Sequence, residues 1–546
     1  MSNSRDIADS AATINFIDGL TSNAQTQIDG KAVYPTQTGN AGKFLSTDGT
    51  TTNWGEVAAS PSVDATTSGA ISNGDLVAIN PDGTVSNVEE LTASLATSGV
   101  IESQYNRGIN FGYDSINNKI LAILNNNSNP ESAVVGTISG DSITWGTPVT
   151  FTGGLTVDCE IAFDTTSGKF IFFFNNSLNG NYQTAQTGTI SGTTITFGTP
   201  VVVESAYSDL QVKGSVVYDP STNKIVFIFS NNTAMYSRIA TVSGTSLSLQ
   251  TRYTVYTTST SLLKAVYVPA TQSIAVIHVD NNYRDTMGFN AKLSASSIQW
   301  IPQKQVRLIW GSSFAVAGLS QGNSPNSTYV PSIAAHPTEP HIFWSYRGVY
   351  NDTFYLYSFS LSEYFGIQKR NVFISGIGTE TSGCLYNEIA YDENSERIIV
   401  ARQGNTASDA FVQEYVEDFE LGFKLVNTTE ITDESPARNV VACIYIPSEQ
   451  KSVIGYAKVT TNYPVAAVYT SGISSANKYI GISDADYTDG ATAKIQLVGS
   501  VDDAQSGLTA GKTHYVQRDG TLSTAPDNPK VVAGTAMSST SIIVKG

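Results

Sequence analysis

Gly136–Val149 reads GTISGDSITWGTPV, and Gly188–Val201 reads GTISGTTITFGTPV. A fainter copy, ATVSGTSLSL, runs from Ala240 to Leu249. In each, an apolar–polar alternation meets Ser-Gly and then resumes, the pattern of two strands joined by a tight turn. Upstream of each copy stands a second motif: an apolar pair, an aromatic, Asp, a turn, Lys and an apolar run. Its best examples are Phe111–Leu124 (FGYDSINNKILAIL), Ile161–Phe174 (IAFDTTSGKFIFFF) and Val216–Phe229 (VVYDPSTNKIVFIF). Asp, Pro, Ser and Asn at these places set up the turn. The run after Lys is apolar at every position, so its strand needs cover on both faces.

The second motif decays along the chain through Val266–Ile277, Ile333–Trp344, Ile389–Val400 and Ile444–Ile454. Its turn opens at positions 114, 164, 219, 268, 336, 392 and 446. That makes seven units at a period of about 50 residues, with one longer interval from 268 to 336. Two hairpins per unit give four antiparallel strands, the anatomy of a β-propeller blade. Buried helices also suit short apolar runs, but the flanking turns and β-branched residues favour strands. A parallel β-helix needs a shorter period. The seventh unit offers strands near Ala442–Ile446, Val453–Ala457 and Pro464–Tyr469 and lacks a fourth. A segment between Gly83 and Ser94 is expected to supply it and join the two ends.

The flanks of this array resemble each other. Ile71–Ser86 (ISNGDLVAINPDGTVS) parallels Leu508–Ser523 (LTAGKTHYVQRDGTLS), each a strand, an Asp-Gly turn and a strand. The fold expected is therefore all-β: a seven-bladed β-propeller (92–470) inserted between halves of a small β-domain (58–91 and 471–546). Close chain ends make such an insertion geometrically cheap. Residues 1–57 add a short, partly helical N-terminal arm. Ile7, Ile14, Ile17, Ala24 and Ile28 form a partial heptad, interrupted by Asp18-Gly19, with Thr21 or Ser22 as a cap. Helices this short need a partner chain or a docking surface, and an amphipathic helix on the protein's own body fits the same pattern. Pro35–Trp54 reads as linker and hairpin.

Composition narrows the partners. Charged residues are 14% of the chain, against about 25% in an average soluble protein, and Ser, Thr, Asn and Gly take their place. A net charge of −17 opposes binding to nucleic acid or an anionic membrane. No apolar run reaches the roughly 18 residues of a membrane helix, and no secretory signal follows Met1. Cys159, Cys384 and Cys443 are odd in number and lie beside apolar runs, as small buried hydrophobes do; a partial disulfide is the alternative. The four histidines have no ligand spacing to one another or to Cys. Asn125-Asn126-Asn127 suits a turn as well as a calcium site. No metal and no cofactor is expected.

Catalytic signals are equally sparse. Propeller glycosidases need clustered Arg or paired carboxylates, and here the arginines are scattered singly. Asp114, Asp164, Asp219 and Asp392 recur with the period, as turn residues do. Glu417, Asp418 and Glu420 read as a solvated loop, and there is no convincing nucleophile elbow. No catalytic residue is expected, and the chain reads as a non-enzyme. Binding has better support. The long interval places an insertion near Pro302–Pro331, and long loops on a rigid scaffold carry recognition. It holds Arg307, Trp310 and Tyr329 and is followed by Trp344, Tyr346, Arg347 and Tyr350, the residue types of a glycan platform. Alternation in Phe354–Phe359 assigns part of the neighbouring rings to packing instead.

The arm and the tail carry a family resemblance. Ala12–Lys31 (ATINFIDGLTSNAQTQIDGK) and Gly39–Thr50 (GNAGKFLSTDGT), ending at Trp54-Gly55, resemble N-terminal segments of bacteriophage tail-fibre and related virion proteins. The tail from Lys478 to Gly546 is similar to C-terminal modules of that class, and the GTISG repeats to marine-phage structural proteins. The resemblance implies a virion fibre, often homotrimeric, made in the host cytoplasm and attached to other virion proteins by its N-terminus. Its distal part would meet a glycan or protein of the host surface. Two rivals stay open: a capsid or baseplate decoration protein, and a polysaccharide-cleaving propeller enzyme.

Overall fold

Asp219 explains where the first hairpin of a unit turns. Its carboxylate accepts from the backbone N–H and the hydroxyl of Ser221, at 2.8 and 2.6 Å, and from Thr222 Oγ1 at 3.0 Å. Asp114, Asp164 and Asp392 likewise accept from the N–H groups two and three residues ahead. The periodic aspartates are thus turn caps, buried but satisfied. The residue before the following cation takes a left-handed backbone, at Asn118, Gly168, Asn223 and Glu396. Asn and Gly tolerate that region better than other residues.

The computed structural model describes residues 44–47, 52–55 and most of 61–545. Segments 1–43, 48–51, 56–60, 127–130, 152–154, 209–213, 281–285, 295–296, 310–330, 348–353, 363–365, 375–383, 405–409, 419–421, 432–435 and 528–529, with a few single positions and some strand side chains, lie outside the description. The described chain divides into two units, 91–473 and a second made of 1–90 with 474–546.

Unit 91–473 is all-β. Seven antiparallel sheets follow one another, with first strands Asn106–Asp114, Leu155–Asp164, Gly214–Asp219, Thr260–Val268, Ser332–Ala335, Cys384–Asp392 and Pro436–Ile446. Repeated sheets of four to five strands give it a propeller-like arrangement. The second strand of sheet 2, Lys169–Asn176, shows why its run is wholly apolar. Phe170, Phe172 and Phe174 pack on Leu121 and Ile123 of sheet 1. Ile171 and Phe173 face the other way, onto Phe227 and Phe229 of sheet 3. Each such ring contributes roughly 1.5–3 kcal/mol by leaving water. Ile120 and Leu124 of sheet 1 share a cluster with Ala442, Ile446 and Val453 of sheet 7.

The GTP stretches lie where neighbouring sheets touch. Thr199 N donates to Thr245 O at 3.1 Å, and Thr187 Oγ1 donates to the same carbonyl at 2.8 Å. A Cβ on Gly198 would collide with Thr245 O, and one on Gly146 with the equivalent carbonyl of Thr193. The repeated glycine is therefore set by the close approach of the next sheet's Ser-Gly hairpin.

The seventh sheet runs Pro436–Ile446, Lys451–Lys458, Pro464–Thr470 and then Ser94–Val100, with Thr470 opposite Ser94. The joining strand thus begins at the last residue of the expected 83–94 span and runs beyond it. Val85–Asn87, within that span, is committed elsewhere, as the partner of Leu76–Ile79 across the Asp-Gly turn. Both chain crossings of this unit leave from one end of the sheets. That end also carries the aspartate turns and the Ser-Gly turns. The opposite end carries the connections after second and fourth strands, of which 310–331 is the longest.

The second unit has two five-stranded sheets that repeat one topology. One runs Ser62–Thr66, Thr492–Gln496, Tyr479–Ser483, Leu76–Ile79, Val85–Asn87. The other runs Val501–Asp502, Ile542–Val544, Val531–Ala536, Thr513–Val516, Leu522–Ser523. The likeness reaches individual atoms. Asp82 caps Thr84 N and Oγ1 as Asp519 caps Thr521. The bulge between the Tyr479↔Ala78 and Gly481↔Val77 pairs recurs between Val532↔Tyr515 and Gly534↔His514. In chain order, residues 88–478 of the first copy occupy the place of loop 524–530 in the second. Of the N-terminal arm, Phe44–Thr47 pairs with Thr52–Gly55. Its expected helices, with Ile7, Ile14, Ile17, Ala24 and Ile28, lie outside the described residues.

Candidate functional site

The aromatic platform expected from the sequence is changed by the sheets around it. Trp344 is 0% and Tyr346 2% exposed, in a cluster with Ile277, Tyr357 and Phe359 between sheets 4 and 5. Tyr346 and Tyr357 stack with ring centroids 5.7 Å apart. These two rings are packing, because a strand covered on both faces has no outer side for alternate residues to occupy. Arg307 lies on strand Ile298–Ile309, opposite Met287, so the first part of the expected 302–331 insertion is the fourth strand of sheet 4. Arg347 ends strand His341–Arg347, opposite Phe354; the side chains of both arginines lie outside the description. Trp310, Tyr329 and Tyr350 lie outside the described residues.

The register reveals a set of positions that the sequence reading missed. The residue four before each turn-opener sits on a first strand, in the same register throughout: Asn110, Glu160, Ser215, Lys264, Ser332, Glu388 and Ala442. Lys264 Nζ of sheet 4 lies 2.6 Å from Glu160 Oε1 of sheet 2, and Ser215 Oγ of sheet 3 donates to Glu160 Oε2 at 3.4 Å. Glu160 of sheet 2 and Lys264 of sheet 4 thus meet beside Ser215, on the first strand of the sheet between them. Ser332 Oγ donates to Glu388 Oε1 at 2.8 Å and accepts from Ile389 N at 3.1 Å. The offset from the turn was available in the sequence, but its meaning depends on knowing the turn's register.

A second polar node joins sheets 6 and 7. Glu414, fully buried, accepts from Tyr469 Oη at 2.7 Å and Gly472 N at 2.9 Å, and pairs with Arg397. Burial, and after it the Glu414 carboxylate, push the Tyr469 hydroxyl well above its ordinary range, so it stays a donor. Glu417, read as part of a solvated loop, lies instead on strand Ala410–Asp418 and accepts from Ser358 Oγ. These acids serve as acceptors in sheet-to-sheet contacts. Among the described residues no group of three His, Cys, Asp or Glu side chains could hold a metal ion; Cys159 is buried and Cys443 half-buried.

In the second unit, Thr509, Lys512, Thr513, Tyr515 and Thr524 line an open concavity of about 510 Å³. Lys530 Nζ stands 5.9 Å over the Tyr515 ring. It is shallow and polar, with hydroxyls and ammonium groups as donors.

No family model and no curated protein matches the chain. Solved structures similar to it include a Lactobacillus plantarum protein, at 14% identity and a TM-score of 0.42, over 67% of this chain and 96% of that one. AofleA from Arthrobotrys oligospora is similar at 7% identity and a TM-score of 0.37, over 76% and 93%. The Dos1 propeller is similar at 11% identity and a TM-score of 0.38, over 75% and 95%. Likenesses this distant carry no information about function.

Proposed function

We propose that the chain is a non-enzymatic phage virion fibre or adhesin whose seven sheets close as a propeller and present a recognition surface to the host envelope. Closure is supported by strand Ser94–Val100 completing the seventh sheet and by the shared cluster of sheets 7 and 1. The placing of the recognition surface rests on one observation, the polarity of the sheets. Both crossings to the second unit leave from the tight-turn end, while the longest connection, 310–331, lies at the other. Loops on a rigid scaffold are where recognition resides, so the end that carries the longer connections is the candidate surface. The N-terminal arm attaches the chain to other virion proteins, and a trimer follows from the fibre resemblance.

The test is adsorption of the full chain to a panel of marine bacterial strains, beside a variant with 310–331 replaced by a short Gly-Ser linker. Saturable binding that the variant loses, with its thermal unfolding unchanged, supports the reading. Equal binding by both removes the loop-bearing end as the recognition surface. Absence of binding, with the chain decorating purified heads or baseplates, points to a structural role. Release of reducing sugar from host polysaccharide overturns the non-enzymatic reading.

A further inference from the structure

Sheet 5 opens its first hairpin with a histidine where four other sheets use aspartate. His336 Nδ1 accepts from the N–H of Thr338 at 3.3 Å and of Glu339 at 3.0 Å. These are the positions two and three ahead that the aspartates cap elsewhere. An imidazole nitrogen that accepts N–H bonds carries no proton, so the hydrogen of the neutral ring is on Nε2. That atom lies 2.9 Å from Tyr391 Oη, on the first strand of sheet 6. The ring therefore caps one hairpin and ties it to the next sheet.

The charged and titratable groups around it come from both sheets. Glu339 and His341 belong to its own hairpin, where His341 Nδ1 is 3.2 Å from Glu339 Oε2. Tyr391, Glu396 and Glu417 come from sheet 6. Burial disfavours the imidazolium, the three carboxylates favour it, and burial prevails, holding His336 below its ordinary value. Strand Ser332–Ala335, which this hairpin holds in place, is the shortest first strand of the seven.

We propose that His336 is an acid-sensitive joint: protonating Nδ1 sets a donor against two N–H donors, uncaps the hairpin and loosens the contact between sheets 5 and 6. The sign follows from linkage. A base held below its ordinary value in the fold contributes stability above about pH 6.5, and that contribution is lost as pH falls through the lowered value. The four aspartate turns have no ring nitrogen to protonate and act as internal controls.

Hydrogen exchange of the full chain, corrected for intrinsic rates, tests this at about pH 7.5 and about pH 4.5. In peptides spanning 332–345, amide protection at Thr338 and Glu339 should fall about tenfold on acidification, while the Asp164 and Asp219 turns hold. His336→Asp should keep protection at both pH values, and His336→Ala should lack it at both. Wild-type protection that is unchanged by acid overturns the proposal, even where His336→Ala loses it. Retention of protection in His336→Ala overturns the cap itself.

Discussion

At Gln450 the backbone takes φ 54°, the conformation that Asn118 and Asn223 occupy at the same place in other units. Gln is poorly suited to it, and Asn enters it at lower cost. Gln450→Asn should raise stability by about 0.5–1 kcal/mol, read as a higher urea midpoint at unchanged slope. Gly198 is the opposite case. Gly198→Ala drives a Cβ into the Thr245 carbonyl and should cost about 1–3 kcal/mol. Gly192→Ala, at φ 63° with open space around it, should cost about 1 kcal/mol, from backbone conformation alone. Residues of this kind were legible, because the aspartates and glycines of the turns announce their chemistry by recurring. The aromatics were not. Trp344 and Tyr346 have the composition of a sugar platform, and only the sheets on either side show that they are buried between them.

Elements were read well where a run was apolar and poorly where it was not. Phe170–Phe174 proclaims a strand between two layers. Ser94–Val100, SLATSGV, scatters Leu95, Ala96 and Val100 among small and polar residues without an unbroken apolar run, and is a strand because Pro464–Thr470 needs a partner along its open edge. The Asp-Gly hairpins of the two module copies allow a sharper test. The Thr84 hydroxyl, and then its N–H, hold the Asp82 carboxyl below its ordinary value, and Thr521 does the same for Asp519. A lowered carboxyl contributes stability above its unfolded value, lost as pH falls through the lowered one. In an NMR titration, Thr84→Val should raise the Asp82 value and leave Asp519 where it is. A shift of both would mean that the two hairpins are coupled and do not repeat independently.

For the whole molecule, the period alone gave seven units and their order, and the Asp-Gly likeness pointed to a small domain around them. It did not show that the small domain is two copies of one module, because Tyr479–Ser483 and Val532–Ala536 share a bulge and, of five residues, only the glycine at 481 and 534. If the first copy accommodates a large unit in place of loop 524–530, the second should accept one too. A small foreign domain with adjacent termini, placed after Asp527 in the full chain, should leave the thermal unfolding midpoint of the rest within about 4 °C. The same insertion between Asp519 and Gly520 should unfold the second copy. The connections after second and fourth strands share no pattern between units, so no side chain in them stands out by recurrence.

The paired crossings at 90/91 and 473/474 also have a mechanical meaning. A domain hung on one linker passes every pull through a single run of peptide bonds. Here unit 91–473 is entered and left through two such runs, so a pull on it is divided between them. A protease that nicks one crossing leaves the other to hold.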